Sequence, residues 1–368
     1  MKNIVVFCGG VSAEHEVSLR SACNIIAALD KTQFTPILVT ISRTGTWYIH
    51  SDVTVLEHIT ECCEPFFYGE IGTMLRVQNE TFLISQHGLN LKVDAAFPII
   101  HGPMGEDGTL QGLFEIMDLA YVGSGVLSSA VGMDKDVLKR ILESVGLPVV
   151  PFLCLSNPAD YISYDASSRL LDSKILFIKP AVMGSSVGVS KITSAEEYAL
   201  AVNHAFKYST KVLVETFIAC RELECAVLGN QAPQASCVGE IKSHHDFYSY
   251  EAKYIDPNGA EIIIPANLDP KLAGQVAALS IKAYQAIECK GLARVDFFLS
   301  HHGEVFINEI NTLPGFTAIS MYPKLWEASG INYSDLITTL IDLAFAAQID
   351  KQQICLLPDL FGVSAETV

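Results

Sequence analysis

Short, nearly continuous apolar runs alternate along this chain with stretches whose apolar residues recur at helical spacing. Ile4–Cys8 is apolar throughout, Gly9-Gly10 interrupts it, and Ser12 to Leu19 leads into a helical pattern, which reads as strand, tight turn and helix. Pro36–Ser42 and Asp94–Ile100 supply two more β-rich runs. Such an order predicts an α/β layer whose ligand crevice lies at the C-terminal ends of the strands. Residues 45–92 mix short strands and turns without legible chemistry.

Further along, Val122–Ser129 turns Gly- and Ser-rich, as at a domain boundary. Asp134 then caps a helix with apolar residues at Val137, Leu138, Ile141, Leu142 and Val145, stopped by Gly146 and Pro148. Ile175–Pro180 reads as a buried strand ending in Lys179-Pro180, with more strand at Gly188–Ile192. Ser194 and Glu197 form a capping box that opens a helix to about Phe206. Lys211–Thr216 and Arg221–Leu228 follow as strands, and Asp269-Pro270 opens a long amphipathic helix to about Cys289. A C-terminal helix is expected over Ser334–Gln348.

The chemistry concentrates in Arg294–Leu299 and Val305–Asn311, two strand-like runs flanking His302-Gly303. If those two residues form the loop, partners sum to 605, so that Asp296 faces Glu309 and Arg294 faces Asn311. Side chains two apart share a face, and all four then project together. Two carboxylates and a carboxamide converging there suit a hard cation such as Mg²⁺, which takes few protein ligands and completes its shell with substrate phosphates. Arg294 adds a donor for an oxyanion, and Leu313-Pro314-Gly315 makes a turn that can expose N–H groups.

Other candidates are scattered. Glu14 at a helix start either complements the helix dipole or holds an ammonium group, and His101 in the Gly-rich loop His101–Gly108 is either a ligand contact or a structural histidine. Lys135 sits in the first turn of its helix, where the dipole disfavours a cation, and so invites an anion. Residues 181–189, AVMGSSVGV, form a Gly- and Ser-rich hairpin able to cover phosphates with backbone N–H groups, with Lys179 at its base. It lacks the P-loop spacing. Glu215 ends a strand where it could meet the amine of a base, and the aromatic, charged segment His244–Asp256 reads as a functional loop.

Composition narrows the field. Half of the 368 residues are hydrophobic and 18% charged, as in a globular chain of two or three domains. A formal charge of −17 argues against nucleic acid or an anionic membrane as the main partner, but a phosphate ligand needs only a few local cations. Ten scattered cysteines without a C-x-x-C pair, and no signal-peptide pattern, point to a reducing compartment, the cytoplasm. No G-x-G-x-x-G follows Cys8, against a dinucleotide-binding dehydrogenase.

Taken together and in order, GGVSAEHEVSL (9–19), HGPMGEDGTLQG (101–112), MDK (133–135), FIKPAVMGSSVGVSK (177–191), YEAKY (250–254), RVDFF (294–298) and NEINTLPGFTAISMYP (308–323) resemble the D-alanine–D-alanine ligases, members of the ATP-grasp carboxylate–amine ligases. The resemblance implies mixed α/β and α+β structure: an N-terminal Rossmann-like domain (1–123), a central ATP-grasp subdomain (124–214), and a C-terminal one (215–368) with a mobile loop near 242–260. It implies ATP as co-substrate and two Mg²⁺ ions, with Mn²⁺ as an alternative, at Asp296, Glu309 and Asn311. Lys135, Lys179 and Lys253 match phosphate-binding lysines, and Glu215, the Ile218 backbone and Glu222 fall where adenine and ribose are held. Arg294 and the Gly315 N–H match the oxyanion site. Glu14 matches the residue facing the ammonium of the first D-alanine, linked through Ser185 to Tyr254. His101 lies near that substrate, and Ser320 and Met321 match the pair meeting the second carboxylate. A homodimer is expected by the same resemblance. Thr216 where many members carry lysine, and Ala219-Cys220 near a usual glycine, depart from the pattern around adenine. A D-alanine–D-lactate ligase and a catalytically idle nucleotide-binding module are the rival readings.

Overall fold

A computed structural model describes residues 1–50, 52–53, 69–243 and 260–354. Its strands form three sheets. The first contains β1 (Lys2–Gly9), β2 (Phe34–Ile41), β3 (Trp47–His50), β4 (Glu70–Val77), β5 (Glu80–Ser85), β6 (Asn90–Val93), β7 (Ala95–Pro98) and β8 (Ala120–Tyr121), in the order β6-β5-β4-β3-β2-β1-β7-β8. β1 runs parallel to β2 and β7, and β7 parallel to β8, so the centre is the α/β layer expected from the pattern. β1 is apolar at successive positions because both its faces are covered: Ile4, Val6 and Cys8 pack into one core cluster, Val5 and Phe7 into another.

The second sheet holds β9 (Phe152–Leu155), β10 (Leu176–Pro180), β11 (Ser190–Ile192) and β12 (Val212–Thr216), ordered β11-β10-β12-β9 and antiparallel. β12 runs through the expected boundary at 214/215, so the change of sheet falls after Thr216 instead. The helix Ala195–Ala205 starts as its sequence predicts, with the Ser194 hydroxyl accepting from the Glu197 N–H at 3.3 Å. The Glu197 carboxylate reaches back to accept from the Thr193 N–H at 2.8 Å and its hydroxyl at 3.0 Å, with the Ser194 N–H also helping to lower its pKa.

The third sheet, β15-β14-β13-β16-β17, comprises β13 (Cys220–Leu228), β14 (Gln234–Ser243), β15 (Ala260–Ile263), β16 (Leu292–Ser300) and β17 (Val305–Asn311). Along β16, Ala293, Val295, Phe297 and Leu299 face a core closed by the helix Pro270–Ala286, while Arg294, Asp296 and Phe298 face the other way. That helix stops three residues short of the expected Cys289.

The β16–β17 turn differs from the expected one. The Ser300 N–H bonds to the Glu304 carbonyl at 2.8 Å, leaving a three-residue loop, His301 to Gly303, with Gly303 at φ +83°. Near the loop the partners therefore sum to 604 (Leu299 with Val305, Phe297 with Ile307). A β-bulge at Asn308 then adds one residue and restores 605 for Asp296 with Glu309 and Arg294 with Asn311. Val305, Ile307 and Ile310 all enter the same core, which an unbroken strand could not arrange, since 307 and 310 would face opposite ways.

No helix among the described residues is long and apolar enough to cross a membrane. The seven described cysteines are free thiols.

Candidate active site

A cavity of about 370 Å³ opens between the second and third sheets. Lys135, Lys179, Ser185, Glu215, Glu222 and Glu309 line it together with Ile218 on the segment joining β12 to β13. These seven residues come from seven segments of the chain. Asp134 caps the helix Lys135–Ser144 by accepting from the Asp136 and Val137 N–H groups, a bond pair worth about 1 kcal/mol, and so fixes where Lys135 emerges. The Lys135 ammonium lies 3.2 Å from Glu309 Oε2 and donates to the Met183 carbonyl at 2.9 Å. Lys179, near the end of β10, donates to Asn308 Oδ1 at 3.3 Å.

Glu215 is held between two lysines. Its Oε1 is ion-paired to Lys139 at 2.8 Å and its Oε2 to Lys179 at 2.7 Å. Burial alone would push this carboxyl up, but the two ammonium groups outweigh it and hold its pKa below the ordinary value. Lys139 is fully buried, and burial pulls its pKa down to about 8 against the attraction of Glu215.

On the open face of the third sheet, Glu224, Asp296 and Glu309 stand in register across β13, β16 and β17. Arg294 lies among them: it donates from Nε and Nη2 to the two oxygens of Asp296, both at 2.7 Å, and its Nε is 2.8 Å from Glu224 Oε2. Asn311 donates to Asp296 Oδ2 at 2.9 Å. Burial works against the guanidinium, yet Asp296 and Glu224 more than offset it and hold its pKa well above that of an ordinary arginine. As a metal site the face offers two carboxylates and a carboxamide. Among the described residues no three His, Cys, Asp or Glu side chains converge as an ion cage. Carboxylate and carboxamide oxygens are the hard donors that Mg²⁺ takes when substrate phosphates complete its shell.

A second cluster joins the first sheet to the turn after β17. A Cβ on Gly315 would stand 2.9 Å from Ser320 Oγ and 4.0 Å from His101 Nε2, so these three groups meet. Glu14 Oε2 lies 3.8 Å from where a Cβ would stand on Gly102 and on Gly184, which brings the start of the helix His15–Ala28 against the Gly-rich hairpin. Burial alone would lower the pKa of His101, but Glu106 at 3.7 Å and the charge of Glu14 raise it overall. The side chain of Met321 is buried among core residues, so only its backbone, at the start of the helix Met321–Ala328, can meet a ligand. Lys253 and Tyr254 lie outside the described residues.

The hairpin over the cavity turns at Ser185-Ser186, both at positive φ (55° and 58°), with the Val187 N–H bonded to the Gly184 carbonyl at 3.2 Å. This is a mirror-image two-residue turn, usually built from glycine or asparagine.

Comparison with known proteins matches this geometry to one family. A family model described as the D-ala D-ala ligase N-terminus matches residues 3–124, and its C-terminal counterpart matches 141–342. D-alanine–D-alanine ligase A of Escherichia coli K12 is 49% identical over 347 residues, covering 92% of this chain and 94% of that protein. The chain belongs to the D-alanine–D-alanine ligase family. The solved D-alanine–D-alanine ligase from Coxiella burnetii shares 36% identity at a TM-score of 0.82, covering 96% of this chain and 97% of its own. VanG D-Ala:D-Ser ligase from Enterococcus faecalis also scores 0.82, at 33% identity, covering 93% of this chain and 99% of its own. The fold is thus the ATP-grasp architecture of these ligases.

Several residues around this cavity were not singled out from the sequence, some of them although they lie inside the quoted motifs. Asn308 is the bulge itself, and Glu224 extends the carboxylate row by one strand. Lys139 lies one helical turn beyond Lys135 on the same face, a spacing that the sequence did offer as a signal. Phe298 and His301 line the cavity because they continue the open face of β16 into its loop. Phe177 and Phe217, stacked on each other with centroids 5.8 Å apart, also line it.

Proposed function

We propose that this protein joins two D-alanine molecules with ATP, through an acylphosphate, to give D-alanyl-D-alanine, ADP and phosphate for cell-wall precursor synthesis. The observation that carries this reading is the convergence of Lys135, Lys179, Glu215, Glu222 and Glu309 on one cavity, beside the Asp296–Glu309 face. The cavity suits a nucleotide, its lysines facing the phosphates. Asp296, Glu309 and Asn311 would hold Mg²⁺, which when bound neutralises charge on the transferring phosphoryl group.

A carboxylate resists attack because its charge repels the nucleophile and oxide is too poor a leaving group. Phosphorylation by ATP turns that oxygen into part of a phosphate, which departs readily. The neutral amine of the second D-alanine then attacks, and the oxyanion that forms is met by Arg294 and the Gly315 N–H; one such donor contributes roughly 3 kcal/mol. Glu14 faces the ammonium of the first D-alanine, with His101 beside it, and the Ser320–Met321 helix start receives the carboxylate of the second. Lys253 and Tyr254, on the segment that resembles the family's closing loop, would complete the enclosure and exclude water from the acylphosphate. The division into an N-terminal domain and two ATP-grasp subdomains, and a cytoplasmic homodimer, belong to the same reading.

The test is ADP release with D-alanine, L-alanine, D-lactate and D-serine compared as substrates. ADP release and dipeptide formation are expected with D-alanine alone. Preferential use of D-lactate or D-serine in the second position would reassign specificity, and ADP release indifferent to D-alanine would overturn the ligase reading.

A further inference from the structure

The most deeply buried lysine among the described residues has no part in the chemistry above. Lys139 is 0% exposed, in the interior of the helix Lys135–Ser144. Its ammonium is 2.8 Å from Glu215, 3.3 Å from the Val150 carbonyl, and 5.4 Å from the centroid of the Phe152 ring. Burying an ammonium is costly unless it is paired, and a methionine or leucine would fill such a place at less expense. The far oxygen of its partner Glu215 holds Lys179, which lines the cavity. Lys139, Glu215 and Lys179 thus form a row of plus, minus, plus running from the core to the cavity wall.

We propose that Lys139 is a positioning residue for the nucleotide, setting the charge of this row. Glu215 holds the Lys179 ammonium in one place, but a lone Glu215–Lys179 pair is neutral and offers little to a polyphosphate. Lys139 offsets Glu215 from behind, so the row keeps both the tether and one net positive charge at the cavity. A charge acting at this range through a poorly screened interior matters most for the most highly charged ligand. The inference rests on the nucleotide reading of the cavity and adds to it the group that governs its charge.

The experiment compares MgATP binding by calorimetry, with steady-state kinetics, in wild type, Lys139→Met, Lys139→Gln, Glu215→Gln and the double variant Lys139→Met/Glu215→Gln. The net charge of the row is then +1, 0, 0, +2 and +1. The neutral single variants are expected to lose on the order of tenfold in MgATP affinity, with KM for ATP rising in step while KM for D-alanine and kcat at saturating ATP hold. The double variant is expected to recover most of that loss, which a purely structural lysine would not allow. A folded Lys139→Met or Lys139→Gln protein that binds MgATP as wild type does overturns the proposal, as does a double variant no better than the single ones. If neither single variant folds, Lys139 serves folding and the proposal also fails. Wild-type protein that does not bind MgATP would instead sink the nucleotide reading beneath it.

Discussion

Asp296 stands directly across the hairpin from Glu309 only because Asn308 is an extra residue in β17. Without the bulge, the three-residue loop would pair Asp296 with Asn308 and turn Glu309 toward the apolar core. Inserting one alanine after Asn308 adds a residue beyond the one that the bulge takes up, so Glu309 should slip from opposite Asp296 toward the core and nucleotide affinity should fall at least about tenfold, because a one-residue slip exchanges the faces of a strand. Asn308→Ala, which keeps the residue count, should cost much less. Binding titrations on the two variants check this, and equal losses would contradict it.

Asp296→Asn should weaken nucleotide binding chiefly at low Mg²⁺, since it removes a charge from the ion-facing set while keeping the shape. Calorimetric titration of ATP across a Mg²⁺ series reads this directly. A metal response identical to wild type would remove Asp296 from the ion site.

Glu224 and Asp296 share the charge of Arg294, so Glu224→Gln leaves a buried guanidinium with one carboxylate fewer. A stability loss of about 2 kcal/mol is expected in chemical denaturation. Turnover should fall with it, because Arg294 loses the carboxylate that holds it from β13.

Gly315→Ala should lower kcat by on the order of a hundredfold with little change in KM for ATP, because the new methyl meets Ser320 Oγ at 2.9 Å, beside the N–H proposed to meet the oxyanion. Relieving the clash with Ser320→Gly in the same protein should recover part of the rate. Steady-state kinetics on the pair decides the matter.

His50 predicts an acid limb of stability. Burial holds its imidazole neutral and pushes its pKa down from 6.5 to about 4, with Nε2 2.8 Å from the Thr40 hydroxyl. Between those values the unfolded chain takes up a proton that the folded chain refuses, so stability falls as the pH drops through this window, by up to roughly 3 kcal/mol. His50→Gln should flatten that part of the profile in denaturation experiments at graded pH.

How legible was this in the sequence? The α/β layer, the capped helices and the cavity lysines followed from periodicity and local charge, which act over a few residues. The Asp296–Glu309 pairing followed as well, but through two errors that cancelled: a loop taken one residue too short and a bulge unseen. The spacing of Val305, Ile307 and Ile310 already encoded the bulge, because apolar residues two and then three apart cannot share a face on a regular strand. Lys139 and Glu224 were not read because their roles depend on partners 76 and 70 positions away, and no local pattern distinguishes a buried charge from a solvated one.

The tip of the hairpin over the cavity accepts serine at two consecutive left-handed positions where glycine would sit without effort. Each such residue stores on the order of 1 kcal/mol that relaxed turn chemistry would return. Swapping Ser185-Ser186 for Asn-Gly would thus make a sturdier protein while stripping two hydroxyls from the cavity wall.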